Sequence, residues 1–131
     1  MTEFASDLTT DGIRVRVLTK FLPEQSDPVR GIRVFAYTIR ISNEGPSPAK
    51  LLHRHWVIRD SWGHTREVRG PGVVGEQPRI EPGEEFEYTS FCPLPTPRGT
   101  MSGYYGMVRD DGRRFDVSVG EFFLFEPSES N

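Results

Sequence analysis

The chain has 131 residues, which suits one domain with a buried core. Its net charge is −3, whereas general nucleic-acid or membrane-surface binders normally carry an excess of basic residues. Neither nucleic acid nor membrane is therefore an expected partner. The single cysteine, Cys92, excludes an internal disulfide scaffold and is expected to be a buried structural thiol. There is no apolar signal segment at the start and no run of roughly 20 apolar residues, which predicts a cytoplasmic protein.

Apolar and polar residues alternate along most of the chain, which is the period of half-buried β-strands. In chain order, the predicted strands contain residues 13–17, 35–41, 52–58, 68, 86–88, 101–107 and 115–119, and the apolar run 122–125 is a candidate for one more. Turn signals recur at 43–46, 61–64, 81–83 and 110–113, and Asp111-Gly112 predicts a type I′ hairpin turn. No stretch of ten or more residues has the period of an amphipathic helix.

About seven short strands with turns at this spacing predict an all-β fold, an antiparallel β-sandwich of the fibronectin type III or immunoglobulin type. The chain is expected to form a single domain over residues 1–131, with its core at about 4–126. Met1 to about Asp11 and Pro127 to Asn131 are predicted to be mobile tails.

Two histidines stand two positions apart in the third predicted strand, so they share one face of it. If Trp56 and Ile58 point into the core, His53 and His55 point away from it. A pair of imidazoles side by side on a strand is a common way to present metal ligands.

The hairpin that turns at residues 61–65 brings this strand back against residues 66–73. The register that keeps both strands' apolar residues inside pairs His55 with Pro71 and His53 with Val73. Glu76 then comes within reach as a third ligand, so one hypothesis is a divalent metal held by His53, His55 and Glu76. The alternative is a pair of solvated histidines on an exposed strand.

Residues 70–75 spell G-x-G-x-x-G, the pattern of a dinucleotide-binding turn. That turn needs a helix after it, whose N-terminus meets the phosphates. Pro78 and Pro82 exclude a continuing helix, so the pattern predicts a loop. Backbone N–H groups of a glycine turn can also form an anion nest, although the glycines could equally just shape a tight loop. The candidate binding face is this loop with its neighbouring arginines: Arg69, Gly70, Gly72, Gly75, Glu76, Arg54 and Arg79.

Four linked motifs follow one another along the chain: Arg54-His55-Trp56-x-Ile58-x-Asp60, then residues 67–78, then Pro82-Gly83-Glu84-x-Phe86-x-Tyr88-Thr89-Ser90, then Gly99-Thr100-Met101-x-Gly103. In order and spacing they resemble the ApaG family, and the resemblance covers about Phe4 to Glu126. The resemblance implies a fibronectin III-like β-sandwich with no established catalytic residue. It also implies links to cobalt resistance and magnesium efflux, because family members are similar to a protein with those links. That protein is encoded beside a diadenosine tetraphosphate hydrolase. Related domains look like partner-binding modules.

The expected function is therefore a non-enzymatic interaction module, with no cofactor, that binds a protein partner or a small anion through the face Arg69 to Pro78. Divalent metal binding by His53 and His55 is one alternative, and nucleotide or pyrophosphate binding is another. Exposed sheet edges and the aromatic run 122–125 would permit a homodimer.

Overall fold

The computed structural model describes residues 3–127, which form nine β-strands and two single-turn 3₁₀ helices and contain no α-helix. No helix in this range is long and apolar enough to cross a membrane. The 3₁₀ helices, Pro23–Gln25 and Pro28–Arg30, lie between the second and third strands. The strands are β1 (Ser6–Thr10), β2 (Ile13–Phe21), β3 (Arg33–Asn43), β4 (Ala49–Asp60), β5 (Thr65–Pro71), β6 (Arg79–Ile80), β7 (Glu85–Leu94), β8 (Arg98–Arg109) and β9 (Arg114–Phe125).

The strands form two antiparallel sheets that pack face to face. One sheet has the order β1-β2-β3-β7 and the other β5-β4-β8-β9, with the short β6 also paired to β4. Along β2, Ile13, Val15 and Val17 are fully buried while the residues between them are partly exposed. This arrangement confirms the antiparallel β-sandwich that the alternation predicted.

An aromatic cluster fills the middle of the core. Trp56 lies edge-on to Tyr37, Tyr105 and Phe122, with ring centroids 5.6, 6.0 and 6.0 Å apart, a geometry that ring quadrupoles favour. Tyr88 and Tyr105 share a buried hydrogen bond of 2.6 Å, which satisfies two hydroxyl groups that burial would otherwise destabilise. The cluster therefore ties strands of both sheets together.

The two sheets are joined along one side of the sandwich and open along the other. At the joined side β1 lies against β9, and Ser6 Oγ donates a hydrogen bond of 2.7 Å to the carbonyl oxygen of Gly120. At the open side, β5 and β7 are the edge strands. Arg66 reaches across from β5 and donates a hydrogen bond of 2.6 Å to the carbonyl oxygen of Pro93 on β7.

Two β-bulges change which residues face the core. Leu52 is an extra residue of β4 opposite β8. Both Leu51 and Trp56 are buried as a result, although residues an odd number of positions apart face opposite sides of a regular strand. In β9, residues 120–121 together lie opposite the single Ser102. The run 122–125 therefore continues β9 with shifted alternation and is not a separate strand.

Strand β1 replaces the mobile tail that the sequence predicted up to about Asp11, so that prediction is wrong. Residues Ser6–Thr10 pair along their whole length with β2. Asp11 and Gly12 have positive φ angles of 49° and 78°, which is the conformation of a type I′ turn. The tail predicted at the other end spans residues 127–131, of which 128–131 lie outside the described residues.

The hairpin predicted at Asp111-Gly112 joins β8 to β9, but its turn is of another type. Gly112 has a φ of 90°, whereas Asp111 does not have a positive φ. The Gly112 N–H donates a hydrogen bond of 2.9 Å to the carbonyl oxygen of Arg109. The connection is therefore a three-residue turn that ends on a left-handed glycine.

We expect Gly12→Ala to destabilise the protein more than Gly112→Ala. Both positions have positive φ, so each substitution incurs the left-handed backbone cost of about 1–2 kcal/mol. A Cβ at Gly12 would also lie 2.8 Å from Gly45 Cα, whereas nothing lies within 4 Å of one at Gly112. Chemical denaturation should show the larger loss of unfolding free energy for Gly12→Ala; equal losses would contradict the close approach of the two turns.

Candidate functional site

The two histidines of β4 lie on the outer face of their sheet, as the sequence predicted. His55 is half-buried and His53 is exposed. Tyr104 on β8 lies beside both, with ring centroids 5.0 Å from His55 and 6.5 Å from His53. The ring of His53 packs over Gly106, where a Cβ would come within 2.1 Å of it. A glycine at that position is therefore needed for the His53 ring to lie flat on the sheet.

His55 is held by a carboxylate from the neighbouring strand. Its Nε2 donates a hydrogen bond of 2.6 Å to Glu67 Oε1, and Arg69 Nη2 lies 3.2 Å from the same oxygen. The hydrogen of His55 is on Nε2 because a carboxylate only accepts. These two bonds, that of His55 first, lower the pKa of Glu67 below its ordinary value. His55 Nδ1 is buried and has no partner among the described residues.

The register of β4 and β5 differs from the sequence prediction by two residues. His55 pairs with Arg69 and His53 with Pro71, not with Pro71 and Val73. The hairpin closes earlier, since Asp60 N–H bonds to the His64 carbonyl oxygen at 3.0 Å. A shift of two residues leaves each side chain on its face. The histidines therefore still lie beside the glycine segment.

The glycine segment forms a tight, internally bonded loop. Val73 and Glu76 exchange both backbone hydrogen bonds, at 2.8 and 2.9 Å. Between them Val74 and Gly75 have φ angles of 42° and 83°, so this is a type I′ turn. A Cβ on Gly72 would lie 2.3 Å from the Glu76 carbonyl oxygen. Glycine at 72 and 75 thus serves the path of the backbone.

Val74 is the unusual residue of this turn. A β-branched side chain at positive φ is a conformational outlier, and the turn type favours asparagine at that place. Val73 is fully buried and anchors the loop in the core, whereas Val74 is 54% exposed. The loop therefore presents an apolar side chain to solvent at a cost in backbone energy.

The arginines around the loop are already engaged by the protein. Arg54 points inward from β4 and its Nη1 donates to the carbonyl oxygens of Pro71 and Gly72 at 3.0 and 2.9 Å. Arg79 forms ion pairs with Glu81 and Asp110. Arg69 pairs with Glu67 and has a side chain that is 70% exposed. Arg54 is thus a clamp that holds the loop, and Arg69 is the most available of the three.

The metal-ligand set of His53, His55 and Glu76 is not assembled. Glu76 closes the type I′ turn, and the carboxylate beside His55 is that of Glu67. Across residues 3–127, no three His, Cys, Asp or Glu side chains form a group that could hold a metal ion. A cleft of about 380 Å³ lies between the two histidines, Tyr104 and residues 69–71.

The sequence reasoning missed Glu67, Tyr104 and Val74 as members of this surface. Tyr104 alternates with the buried Tyr105, so strand periodicity was a signal for its outward position. Glu67 needed the correct register of β5. Val74 carried no signal, because apolar residues before a glycine are not expected at positive φ.

Fold and surface together define the chain as a β-sandwich with a glycine loop packed beside two outward histidines. Residues 23–109 match the family model of the ApaG domain. The chain is 52% identical over 126 residues to the ApaG protein of Anaeromyxobacter dehalogenans, covering 96% of this chain and 99% of that protein. It is 53% identical over 115 residues to the ApaG protein of Bordetella pertussis, covering 88% of each. The chain belongs to the ApaG family.

Solved structures have the same fold. A crystal structure of an ApaA protein from Bordetella pertussis has a TM-score of 0.86 at 53% identity, covering 88% of this chain and 94% of that one. The C-terminal domain of wzt has a TM-score of 0.55 at 9% identity, covering 94% of this chain and 78% of that one. The second likeness shows the fold alone.

We expect Val74→Asn to stabilise the protein by about 1 kcal/mol, because asparagine tolerates the left-handed conformation that valine resists. Val29→Asn is the matched control, since Val29 is 97% exposed and has no positive φ. Urea denaturation measures both variants. Equal changes in unfolding free energy would show that Val74 is not strained.

We expect His55→Ala to raise the pKa of Glu67 towards its ordinary value, because the hydrogen bond from His55 is the main cause of the lowered pKa. A carboxyl whose pKa is lower in the folded than in the unfolded protein stabilises the fold at pH values above the unfolded-state pKa. This stabilisation is lost as the pH falls through the folded-state pKa. Carbon-detected NMR titration reads the Glu67 carboxyl directly. Asp110, whose pKa Arg79 lowers, should not move; a parallel change there would indicate a general effect.

Proposed function

We propose that this protein is a non-enzymatic interaction module of the ApaG family that binds a protein partner through residues 69–78, named here the loop face. The observation that carries this proposal is the strained and exposed Val74. Strained residues persist where the surrounding structure over-determines them, and they cluster at functional sites. An apolar side chain fixed in this way suits insertion into a pocket of a partner.

The loop face has the rigidity that recognition requires. Both backbone bonds of the turn are formed, Gly72 N–H donates to the Leu52 carbonyl oxygen at 2.8 Å, and Arg54 bonds two further carbonyl oxygens. A loop fixed in its bound shape loses little conformational entropy on association. Val74 would then act as the central anchor, with the exposed Arg69 and Glu76 at its rim.

The neighbouring surface offers two further means of recognition. β5 is an edge strand whose outer backbone groups have no strand partner within residues 3–127, so an extended segment of the partner could add there. The cleft beside the histidines and Tyr104 has room for a partner side chain, with a volume of about 380 Å³. Both lie next to residues 69–71, so one partner could use them with the loop face.

The geometry favours a protein partner over a small anion at this loop. The N–H groups of Gly72, Val73 and Glu76 are bonded within the protein, which leaves a poorer anion nest than the sequence suggested. Arg79 is neutralised by two carboxylates. The links to cobalt, magnesium and diadenosine tetraphosphate rest on the family resemblance alone.

A photo-crosslinking amino acid at position 74 should capture the partner in cells, because Val74 would lie at the centre of the interface. The same amino acid at position 29 is the control, since Val29 is equally a surface valine. The captured partner should then bind the Arg69→Ala, Glu76→Ala variant at least about tenfold more weakly. Thermal unfolding of that variant should match the wild type.

Two results would contradict the proposal. One is the same pattern of adducts from positions 74 and 29. The other is unchanged affinity of the captured partner for the Arg69→Ala, Glu76→Ala variant.

A further inference from the structure

A second cavity lies between the two sheets at the open side of the sandwich, separate from the loop face. Its volume is about 150 Å³. It is lined by inner-face residues of β4, by β5 and β7 at the two edges, by Tyr37 from β3 and by Met101 from β8. We name it the inter-sheet cavity; its polar lining residues are Tyr37, Arg54, Trp56, Arg66, Ser90 and Cys92.

Two arginines without a carboxylate partner line this cavity, the half-buried Arg54 and the exposed Arg66. Neither Arg54 nor Arg66 forms an ion pair with any of the residues 3–127. Arg54 uses Nη1 on the loop carbonyl oxygens, and Arg66 uses Nη2 on Pro93 and the Cys92 sulfur. The Nε and the second terminal nitrogen of each guanidinium therefore keep their donors for another acceptor.

The other polar groups of the cavity are neutral. Burial raises the pKa of the Cys92 thiol and of the Tyr37 phenol, so both stay protonated at neutral pH. Ser90 adds a hydroxyl. None of these groups offsets the two arginine charges.

Trp56 also lines the cavity. It is 2% exposed, and its indole Nε1 is buried. Its indole N–H signal therefore reports a change inside the cavity with little contribution from solvent.

We propose that the inter-sheet cavity binds a small oxyanion of the phosphate or short carboxylate type between Arg54 and Arg66. A cavity of about 150 Å³ accommodates a ligand the size of benzene, which has six non-hydrogen atoms; phosphate has five. Guanidinium groups match the oxygen spacing of both anion types in two-point contacts. Arg54 also clamps the loop face, so the bound anion adjoins the partner-binding surface without being part of it.

The protein has two tryptophans, which makes the test direct. Sodium phosphate and sodium malonate are titrated separately into nitrogen-15-labelled full-length protein, with sodium chloride as the ionic-strength control. A saturable shift of the Trp56 indole N–H signal is expected for at least one anion. The indole of Trp62, which is 66% exposed at the β4–β5 hairpin, should not shift. Which of the two salts acts identifies the anion type.

Arg66→Met should weaken by about tenfold the binding of the anion that shifts the Trp56 signal, because a charged hydrogen bond is lost. Arg59→Met removes the same charge from an exposed position of β4 that does not line the cavity, and it should bind as the wild type does. Ser90→Ala is the second cavity variant and should also weaken binding. Arg54 is left intact, because its loss would disturb the loop.

The proposal is overturned if the Trp56 indole signal follows sodium chloride in both titrations. It is equally overturned if Arg66→Met and Ser90→Ala bind as tightly as Arg59→Met. Loss of anion binding would leave the crosslink from position 74 in place, so this test and that of the loop face fail independently.

Discussion

The bulge at Leu52 is the constraint on which both candidate sites depend. It places Leu51 on the same face as Trp56 and Ile58, so β4 stays in the core along its whole length. His53 and His55 alternate with Trp56 and Ile58, so they keep to the outer face although Leu51 is buried. The carbonyl oxygen of Leu52 accepts hydrogen bonds from Gly72 N–H and from the Gln77 side chain, each at 2.8 Å. One irregular residue thus joins a buried Leu51 to a strand with outward histidines, and its carbonyl oxygen anchors the glycine loop.

Arg54 is the charged residue of this inner face. It alternates with Trp56 and Ile58, which turns its side chain into the sandwich, where a charged residue is unfavourable unless it is hydrogen-bonded. The loop carbonyl oxygens meet part of this need. The open side between β5 and β7 meets the rest, because it leaves the guanidinium only half-buried. Arg109 is held in the same way near the β1–β2 turn: it is 7% exposed and donates hydrogen bonds to the carbonyl oxygens of Ser47 and Asp11.

Alternation was enough to predict the sandwich and the outward face of His53 and His55, because both depend only on which residues are apolar. It failed at β1, which hydrogen bonds hold in place and not an apolar face. β1 has no apolar alternation, and its middle residues are exposed, so Ser6–Thr10 resembled a tail. The turn type predicted at Asp111-Gly112 was wrong for a related reason. Asp11-Gly12 and Asp111-Gly112 are the same dipeptide, yet only the first is a type I′ turn, since the strands on either side decide how many residues the turn must span.

The G-x-G-x-x-G pattern has a local explanation at each of its glycines. Gly70 lies against the Arg54 guanidinium, where a Cβ would come within 3.0 Å of Nη1. Gly72 must clear the Glu76 carbonyl oxygen, and Gly75 takes the second left-handed position of the turn. These are demands of a clamped β-turn, and no phosphate is needed to account for any of them. Val74 is the residue that they do not explain. A turn shaped only for stability would carry asparagine there, so recognition is the better reason for a strained valine at its tip.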